Sequence, residues 1–467
     1  MRRCLVVLSL VVLALVAAGP AAAKAFSKTD SLFTADDGVQ LAVTYYEPTD
    51  LARPAAGFPA VMVFHGLGGN RASVAPVAEN FAANGYAVLS FDARAHGLSG
   101  GLFTLDGLRE MKDTAELFNQ LLASRPGIDS AHIGAYGLSL GGGAVWRAKA
   151  DGIPFAAIEP VITWTDLYGA LVPQGLVKTG AVFQFSNSVA GRIDPTLAPF
   201  VPDLLSNRNL ARIKQLFDER SVRARVSMIT TPTFLLQGRT DYAFDIDQAA
   251  AAFRALPVAK RLYIGDLGHA PAKNPAAEQP YYLDECVQWF DRFLKGIPNG
   301  IDLRPPVEVA ADPWTGKTAS FAGLPPRTTL SLKLLGHRTM NGDGKIVRSV
   351  KLPGRALETF GAPTVRIPIQ NRGFDHLVAV LSAGSTIVSE GGMALSATPV
   401  KRTVTIKLIS TAVAIPRGVP LTLTLAGAST AQNPANLLYL ATVPASARIM
   451  VGNVTVTLPL LKTRISS

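Results

Sequence analysis

The stretch Ala131-His-Ile-Gly-Ala-Tyr-Gly137-Leu-Ser139-Leu-Gly141-Gly-Gly143 constrains this chain more than any other. It reads as a short buried strand, His132 to Tyr136, then a turn built on one serine, then a small-residue helix from Leu140 through Ala150. A serine at the top of a strand-to-helix turn sits in strained backbone, and the residues two positions to either side must lack bulk. Here they are Gly137 and Gly141. Such a nucleophile elbow exposes Ser139 Oγ and points the free N–H groups of the new helix at developing negative charge. Gly and Ser are common in loops, so the motif carries weight only if the rest of the chain supplies an acid, a base and an oxyanion loop in the right order.

The surrounding pattern is that of a parallel sheet. Ser31 to Glu47 alternates at Leu41, Val43 and Tyr45 and contains Asp36-Asp37-Gly38, which predicts an antiparallel pair at a sheet edge. Pro59 to Phe64 and Ala87 to Phe91 are continuous apolar runs of the kind buried on both faces. The first ends in His65-Gly66-Leu67-Gly68-Gly69-Asn70 and the second in the turn Asp92 to Gly101. Val77 to Asn84 reads as a helix, as does the spacing of Leu108, Met111, Ala115, Phe118, Leu121 and Leu122 before Pro126. This β-α-β-α-β alternation implies a parallel sheet wrapped by helices.

After a further strand, Phe155 to Val161, the next one, Thr233 to Gln237, comes far later than a crossover requires. Residues 163–225 are therefore expected to form a mostly helical cap over the carboxyl ends of the strands. Strand Arg261 to Gly265 and a closing helix, Tyr282 to Lys295, complete the unit, with Gly296 and Pro298 as the stop. Beyond the linker Pro298 to Pro306 the pattern changes to short strands with turns: Thr329–Leu335, Val365–Ile369, His376–Leu381, Val404–Ile409, Leu421–Leu425, Leu437–Thr442 and Val454–Leu458. The expected organisation is an α/β domain over 24–300 and an all-β sandwich or jelly roll over 301–467.

Arg2 and Arg3, the apolar run Leu5 to Ala18, and Pro20-Ala-Ala-Ala23 form a secretory signal peptide by pattern, residues 1–23, cleaved after Ala23 or Ala25. The run is shorter than the roughly 20 residues of a membrane span, and no later stretch resembles one. The expected location is outside the cell or in its envelope. Cys4 stands too early to be a lipid-attachment cysteine, and the mature chain keeps only Cys286, which excludes an internal disulfide. Cys286 falls in the helical pattern Leu283, Cys286, Val287, Phe290 and Leu294 and reads as a small buried hydrophobe. The net charge of +11 drops to +9 without Arg2 and Arg3, and the basic residues are scattered. That suits solubility or loose attraction to an anionic surface, not nucleic-acid binding.

With a serine elbow on a parallel sheet, the acid and then the base follow the serine in sequence. The chain has six histidines: His65, His96, His132, His269, His337 and His376. Three follow Ser139, and two of these lie in the β-rich part. His269 remains, in the loop Asp266-Leu-Gly-His269-Ala-Pro after a strand. Asp241 is the first carboxylate after Thr233–Gln237, with Asp245 and Asp247 as competitors. Asp247 is expected to cap the Ala-rich helix that follows, whereas Asp245 has no clear structural role. The oxyanion hole is assigned to the N–H groups of Leu140 and of Leu67, in a loop whose glycines allow close approach. His65 reads as a ring that props this loop, and His96 likewise as structural.

His65-Gly66, Asp92-x-Arg94-x-His96-Gly97-x-Ser99, the Gly137–Gly141 elbow, Gly238-x-x-Asp241 and Gly268-His269 together resemble the α/β-hydrolase superfamily. The serine strand through Trp164-Thr-Asp166-Leu-Tyr168, with Thr231-Pro232 and Leu236-x-Gly238-x-x-Asp241, resembles more narrowly the X-Pro dipeptidyl-peptidase and cocaine-esterase-like family. The resemblance implies a catalytic α/β domain with a helical cap joined to a C-terminal jelly roll. Leu377-Val-Ala-Val-Leu381 and Ser389 to Ala394 fit the latter loosely. Relatives often carry a tyrosine in the loop after the third strand, whose hydroxyl helps hold the oxyanion. Here the loop reads His65-Gly-Leu67, so two backbone N–H groups must serve, and transfer of peptidase activity is weakened.

The expectation is an exported serine hydrolase cleaving an ester or amide of a small molecule or peptide, with Ser139, His269 and Asp241 as its triad and no metal or cofactor. The alternatives are an X-Pro aminopeptidase, with Glu159, Asp166 or Asp218 available to hold a substrate ammonium, and a secreted binding protein on a relic catalytic fold. Oligomeric state is not legible in the sequence.

Overall fold

In the computed structural model residues 25–430 and 438–466 are described. The leader read at 1–23 lies outside them, as does Leu437. The rest of that expected segment, Leu438 to Thr442, is irregular and not a strand. Among the described residues a ten-stranded sheet is formed by β1 (Phe26–Thr34), β2 (Gln40–Pro48), β3 (Phe58–Phe64), β4 (Ala87–Phe91), β5 (Ile128–Leu138), β6 (Ala157–Val161), β7 (Thr233–Gly238), β8 (Lys260–Gly265), β9 (Val307–Ala310) and β10 (Thr318–Phe321). Their spatial order is β1-β2-β4-β3-β5-β6-β7-β8-β9-β10. The inner pairs from β4 to β9 are parallel, while β1–β2, β2–β4 and β9–β10 are antiparallel.

The helices are α1 (Ala75–Ala83), α2 (Leu108–Glu116), α3 (Leu140–Ala150), α4 (Leu167–Leu171), α5 (Thr179–Ser188), α6 (Phe200–Leu205), α7 (Leu210–Glu219), α8 (Ile246–Ala255) and α9 (Gln279–Leu294). β3 shows why its run is uninterrupted in apolarity. Ala60, Met62 and Phe64 pack under α2, α3 and α8, whereas Val61 and Val63 pack under α1 and α9. A strand covered on both faces has no polar side to show in its sequence. Cys286 is fully buried in α9. The helix expected through Leu122 runs on from α2 as a π-helical turn, Leu117–Ala123.

The expected division at residue 300 does not follow the sheet. β9 pairs with β8, and β10 with β9, so the chain through Phe321 belongs to the first domain. An uncovered β8 would expose a row of unpaired backbone groups, and β9 and β10 complete that edge. These strands are only four residues long, too short to announce themselves by periodicity.

From Arg327 the described residues form two larger antiparallel sheets and a two-stranded one, Leu357–Glu358 with Ala414–Ile415. In one, Thr364–Arg372 is central: Val400–Lys407 pairs along one edge, while Val454–Leu461 and Arg448–Val451 share the other. The other sheet runs Lys345–Val350, Leu421–Ala426, His376–Ala383, Thr386–Ala394. Val365, Ile367 and Ile369 of the first meet Leu377, Ala379 and Leu381 of the second in one core. This is the sandwich arrangement that alternating strands produce.

Between β6 and β7 stand α4 to α7, the segment read as a cap. Its apolar side gathers Trp164, Leu171, Val182, Ile213 and Phe217 with Leu67, Leu140 and Phe244 from the loops of the sheet. Its far side docks on the β-rich domain, where Gln174 bonds Gly392 and Lys407 and the Gly180 N–H donates to Leu438. Among the described residues no helix is long and apolar enough to cross a membrane.

Candidate active site

Ser139 stands between β5 and α3 with φ 56° and ψ −113°, a strained combination for a residue with a side chain. Two glycines make the turn possible. A Cβ on Gly137 would collide with the Gly141 carbonyl, and one on Gly141 would lie 2.6 Å from the Phe64 carbonyl oxygen. The strain is held by bonds to the next strand: the Ser139 N–H donates to Val161 O at 2.9 Å, and Thr163 Oγ1 donates to Ser139 O at 2.8 Å.

His269 and Asp241 meet Ser139 as a chain of hydrogen bonds. Ser139 Oγ lies 2.8 Å from His269 Nε2, and His269 Nδ1 lies 2.8 Å from Asp241 Oδ2. That oxygen also accepts the His269 N–H at 3.0 Å, while Oδ1 accepts the N–H groups of Ala243 and Phe244, each at 2.9 Å. Asp241 is fully buried, and four donors converge on it. Such a set fixes the orientation of the carboxylate. The imidazole packs edge-on against Phe185 and Phe244, with centroids 6.0 and 5.3 Å away.

The competing carboxylates do other work. Asp245 and Asp247 both turn away from His269 and bond the β-rich domain. Asp245 Oδ2 accepts the Ser410 N–H at 2.9 Å, and Asp247 pairs with Lys407 at 2.7 Å. The expectation that Asp247 caps the Ala-rich helix is overturned. The helix begins at Ile246, Asp247 lies inside its first turn, and Asp245 at the cap position makes no capping bond either. Both side chains are drawn across the domain junction by partners more than 150 positions later in the chain, which local sequence cannot reveal.

The loop after β3 lies against the elbow. A Cβ on Gly66 would sit 3.4 Å from Ser139 Cβ, and Leu67 follows on the cap side. His65 is buried with both ring nitrogens engaged, Nδ1 to Gly66 O at 2.7 Å and Nε2 to the Ala93 N–H at 3.0 Å. Burial pushes its pKa down to about 4, so the neutral ring is a brace between two loops. His96 contacts the Arg94 carbonyl and stacks near His65.

The three carboxylates considered for binding an ammonium are elsewhere. Glu159 is fully buried in β6 beside the Cys286 thiol, and burial keeps its carboxyl protonated far above the usual range. Asp166 caps α4 through the Gly169 N–H, and Asp218 pairs with Lys214 on the exposed face of α7. Among the described residues no group of three or more His, Cys, Asp or Glu side chains is placed to hold a metal.

Two residues that sequence reasoning missed hold the Asp241 loop. Lys178, at the start of α5, is buried and donates to the carbonyls of Tyr242 at 2.6 Å and Ala243 at 3.2 Å. Burial lowers its pKa to about 8, partly offset by Asp245, Asp241 and Glu390. A lysine within the apolar run Leu176-Val-Lys178 is itself the available signal, because buried lysines are rare unless partnered. Arg239, also buried, donates through Nε to Ala412 O at 3.1 Å and pairs through Nη2 with Glu358 at 2.6 Å. Nothing in the local sequence announces that pair.

Residues 37–271, half of the chain, match the X-Pro dipeptidyl-peptidase (S15 family). Among curated proteins, the quorum-quenching protein AidA of Acinetobacter baumannii (strain MDR-ZJ06) is 30% identical over 154 residues, which cover 32% of this chain and 48% of that protein. The chain thus spans about half the length of this relative. The fold is shared with a CocE/NonD family hydrolase from Staphylococcus aureus, at TM-score 0.70 and 15% identity over 93% of this chain and 94% of that one. It is shared equally with an α-amino acid ester hydrolase, at TM-score 0.66 and 12% identity over 97% and 100% of the two chains. An aminopeptidase from a Thaumarchaeota archaeon superposes at TM-score 0.66 and 11% identity over 94% and 97%. With the elbow, the cap and the β-rich domain all in place, the chain belongs to the X-Pro dipeptidyl-peptidase (S15) family and is a serine-type hydrolase.

Proposed function

We propose that the protein cleaves an ester or amide bond through an acyl-enzyme, with Ser139 as nucleophile, His269 as base and Asp241 as the acid that orients it. The observation that carries this reading is the unbroken hydrogen-bond chain from Ser139 Oγ through His269 to Asp241. Ser139 Oγ bonds to the substrate carbonyl carbon as its proton passes to His269 Nε2. The N–H groups of Leu140 and Leu67 receive the oxyanion. Collapse of the tetrahedral species breaks the bond to the leaving group, which takes the proton from His269. Water then repeats the sequence, giving up a proton to His269 while adding to the acyl carbon, and Ser139 recovers its proton on release of the acid. Asp241 holds the ring in place and stabilises the imidazolium.

The pattern Arg2-Arg3, Leu5 to Ala18 and Ala21-x-Ala23 supports export. Secreted material should begin at Lys24 or Phe26, and recovery of Met1 on membrane-bound protein would overturn that part. The catalytic reading is tested by a fluorophosphonate probe, which should label the protein but not Ser139→Ala, with both folded by circular dichroism. Equal labelling of the variant would remove Ser139 from the mechanism.

A further inference from the structure

An apolar cavity opens under the cap at the edge of the Ser139 site. Its volume is about 100 Å³, and it is lined by Leu67, Phe103, Leu171, Phe185, Val201 and Phe217 among others. Ser186 is the one polar side chain in its wall, and its hydroxyl donates to Phe183 O within α5. Two contacts tie the cavity to the reacting serine. Leu67 follows Gly66, which lies directly against Ser139. Phe185 spans the gap between the cavity and His269, its ring 6.0 Å from the imidazole. The loop is seated closely on α5, where a Cβ on Gly68 would come within 2.9 Å of Ser188 Cβ.

Charge is missing from this wall where an aminopeptidase would need it. A substrate ammonium taken out of water requires a carboxylate partner. Among the described residues none of the side chains lining the cavity is acidic. Asp106, adjacent to the lining residue Leu105, turns toward Gly143 of α3 instead, and burial raises its pKa well above the usual carboxylate range. His269 must reach the leaving oxygen, so the leaving group occupies the His269 side of Ser139. Leu67 joins the cavity wall to the loop that lies against Ser139, so the group on the other side of the carbonyl has the cavity within reach.

Resting on the triad reading above, we propose that this cavity is the acyl site, and that it takes an uncharged apolar acyl group and rejects acyl groups that carry a free ammonium. Apolar cavities of about 150 Å³ accept benzene, so this smaller space, open at its mouth, suits an acyl chain of about four to six carbons.

The test is kcat/KM on p-nitrophenyl esters from acetate to decanoate, beside an X-Pro p-nitroanilide and an α-amino acid methyl ester. From acetate to butyrate kcat/KM should rise about fourfold per methylene, the worth of burying each one, and level off by about eight carbons. The two amino substrates should be at least a hundredfold poorer than butyrate. Val201→Trp, which fills the half-buried wall, should lower the ratio of hexanoate to acetate turnover tenfold or more. Val201→Ala should move the optimum to longer chains, and keeps the test alive if the tryptophan variant does not fold. Normal fluorophosphonate labelling with a flat chain-length profile, or with preference for the X-Pro substrate, would overturn the acyl site and leave the triad standing. Absence of labelling and of all hydrolysis would overturn both.

Discussion

The turn that carries Ser139 and the loop that carries Asp241 stand at the carboxyl ends of strands two apart in one sheet, and they are held by opposite means. The serine turn is secured by its neighbours: two glycines, the next strand, and the loop after β3, all within the first domain. The Asp241 loop is secured from outside. Lys178 of the cap holds its carbonyls, and Arg239, Asp245 and Asp247 each reach into the β-rich domain. Position of Ser139 is thus a local property of the chain, whereas position of Asp241 depends on the assembled molecule.

Variants can break this contrast or sharpen it. Asp241→Asn should have the largest effect on turnover. It should lower kcat by up to about 10⁴, because the amide favours the wrong imidazole tautomer, with little change in Tm. Full activity in that variant would pass the acid role to another carboxylate. Glu358→Ala lies in the other domain and should cost about 3–5 kcal/mol, because it strands the buried Arg239 guanidinium. It should also lower kcat through the Asp241 loop. Loss of stability with unchanged kcat per folded molecule would show that the loop keeps its shape without the β-rich domain. Gly141→Ala strikes the local device, forcing a methyl against backbone at a cost of about 1–3 kcal/mol by overpacking, with activity lost in step. An active, stable variant would mean that the turn has slack.

A pH measurement probes the packing behind the Asp241 loop. Glu390 is fully buried, with one oxygen accepting from Ser429, and burial raises its pKa to about 8 against the ordinary 4.5. The folded protein therefore keeps a proton that the unfolded chain releases above 4.5. That stabilisation is full below about pH 4.5 and is lost as the pH rises through about 8. Glu390→Gln should flatten the fall in unfolding free energy between pH 5 and 8, read by denaturant titration. Identical slopes in the two proteins would refute the buried proton. Lys178, with its pKa near 8 instead of 10.5, acts above this window. The smallest effect is expected of Asp247→Ala, since its pair with Lys407 is solvent-exposed and worth about 0–1 kcal/mol.

The same contrast explains what could be read from the sequence. The Ser139 turn and the buried strands are written in contiguous residues, where periodicity and glycine placement make them legible. The edge strands β9 and β10 went unread because four residues carry no period. Lys345–Val350 and Arg448–Val451 of the β-rich domain are likewise short or polar on one side. Asp247 reads locally as a helix cap because its partner, Lys407, lies 160 positions away. The role of Lys178 required knowing which carbonyls the cap meets.

Arg239 has a consequence for the order of events in biosynthesis. Its partners lie 71, 119, 173 and 227 positions later in the chain, the last being Ser466. Contacts of such separation form late, after the entropy of closing long loops has been met by other packing. A nascent chain can build β3 to β8 and the serine elbow while the rest is still being made, since domains form as units during synthesis. The bonds that Arg239 gives the Asp241 loop are complete only once residues up to Ser466 have been added. A molecule clipped before Glu358 would leave Arg239 without its carboxylate partner while the Ser139 turn kept every contact of its own.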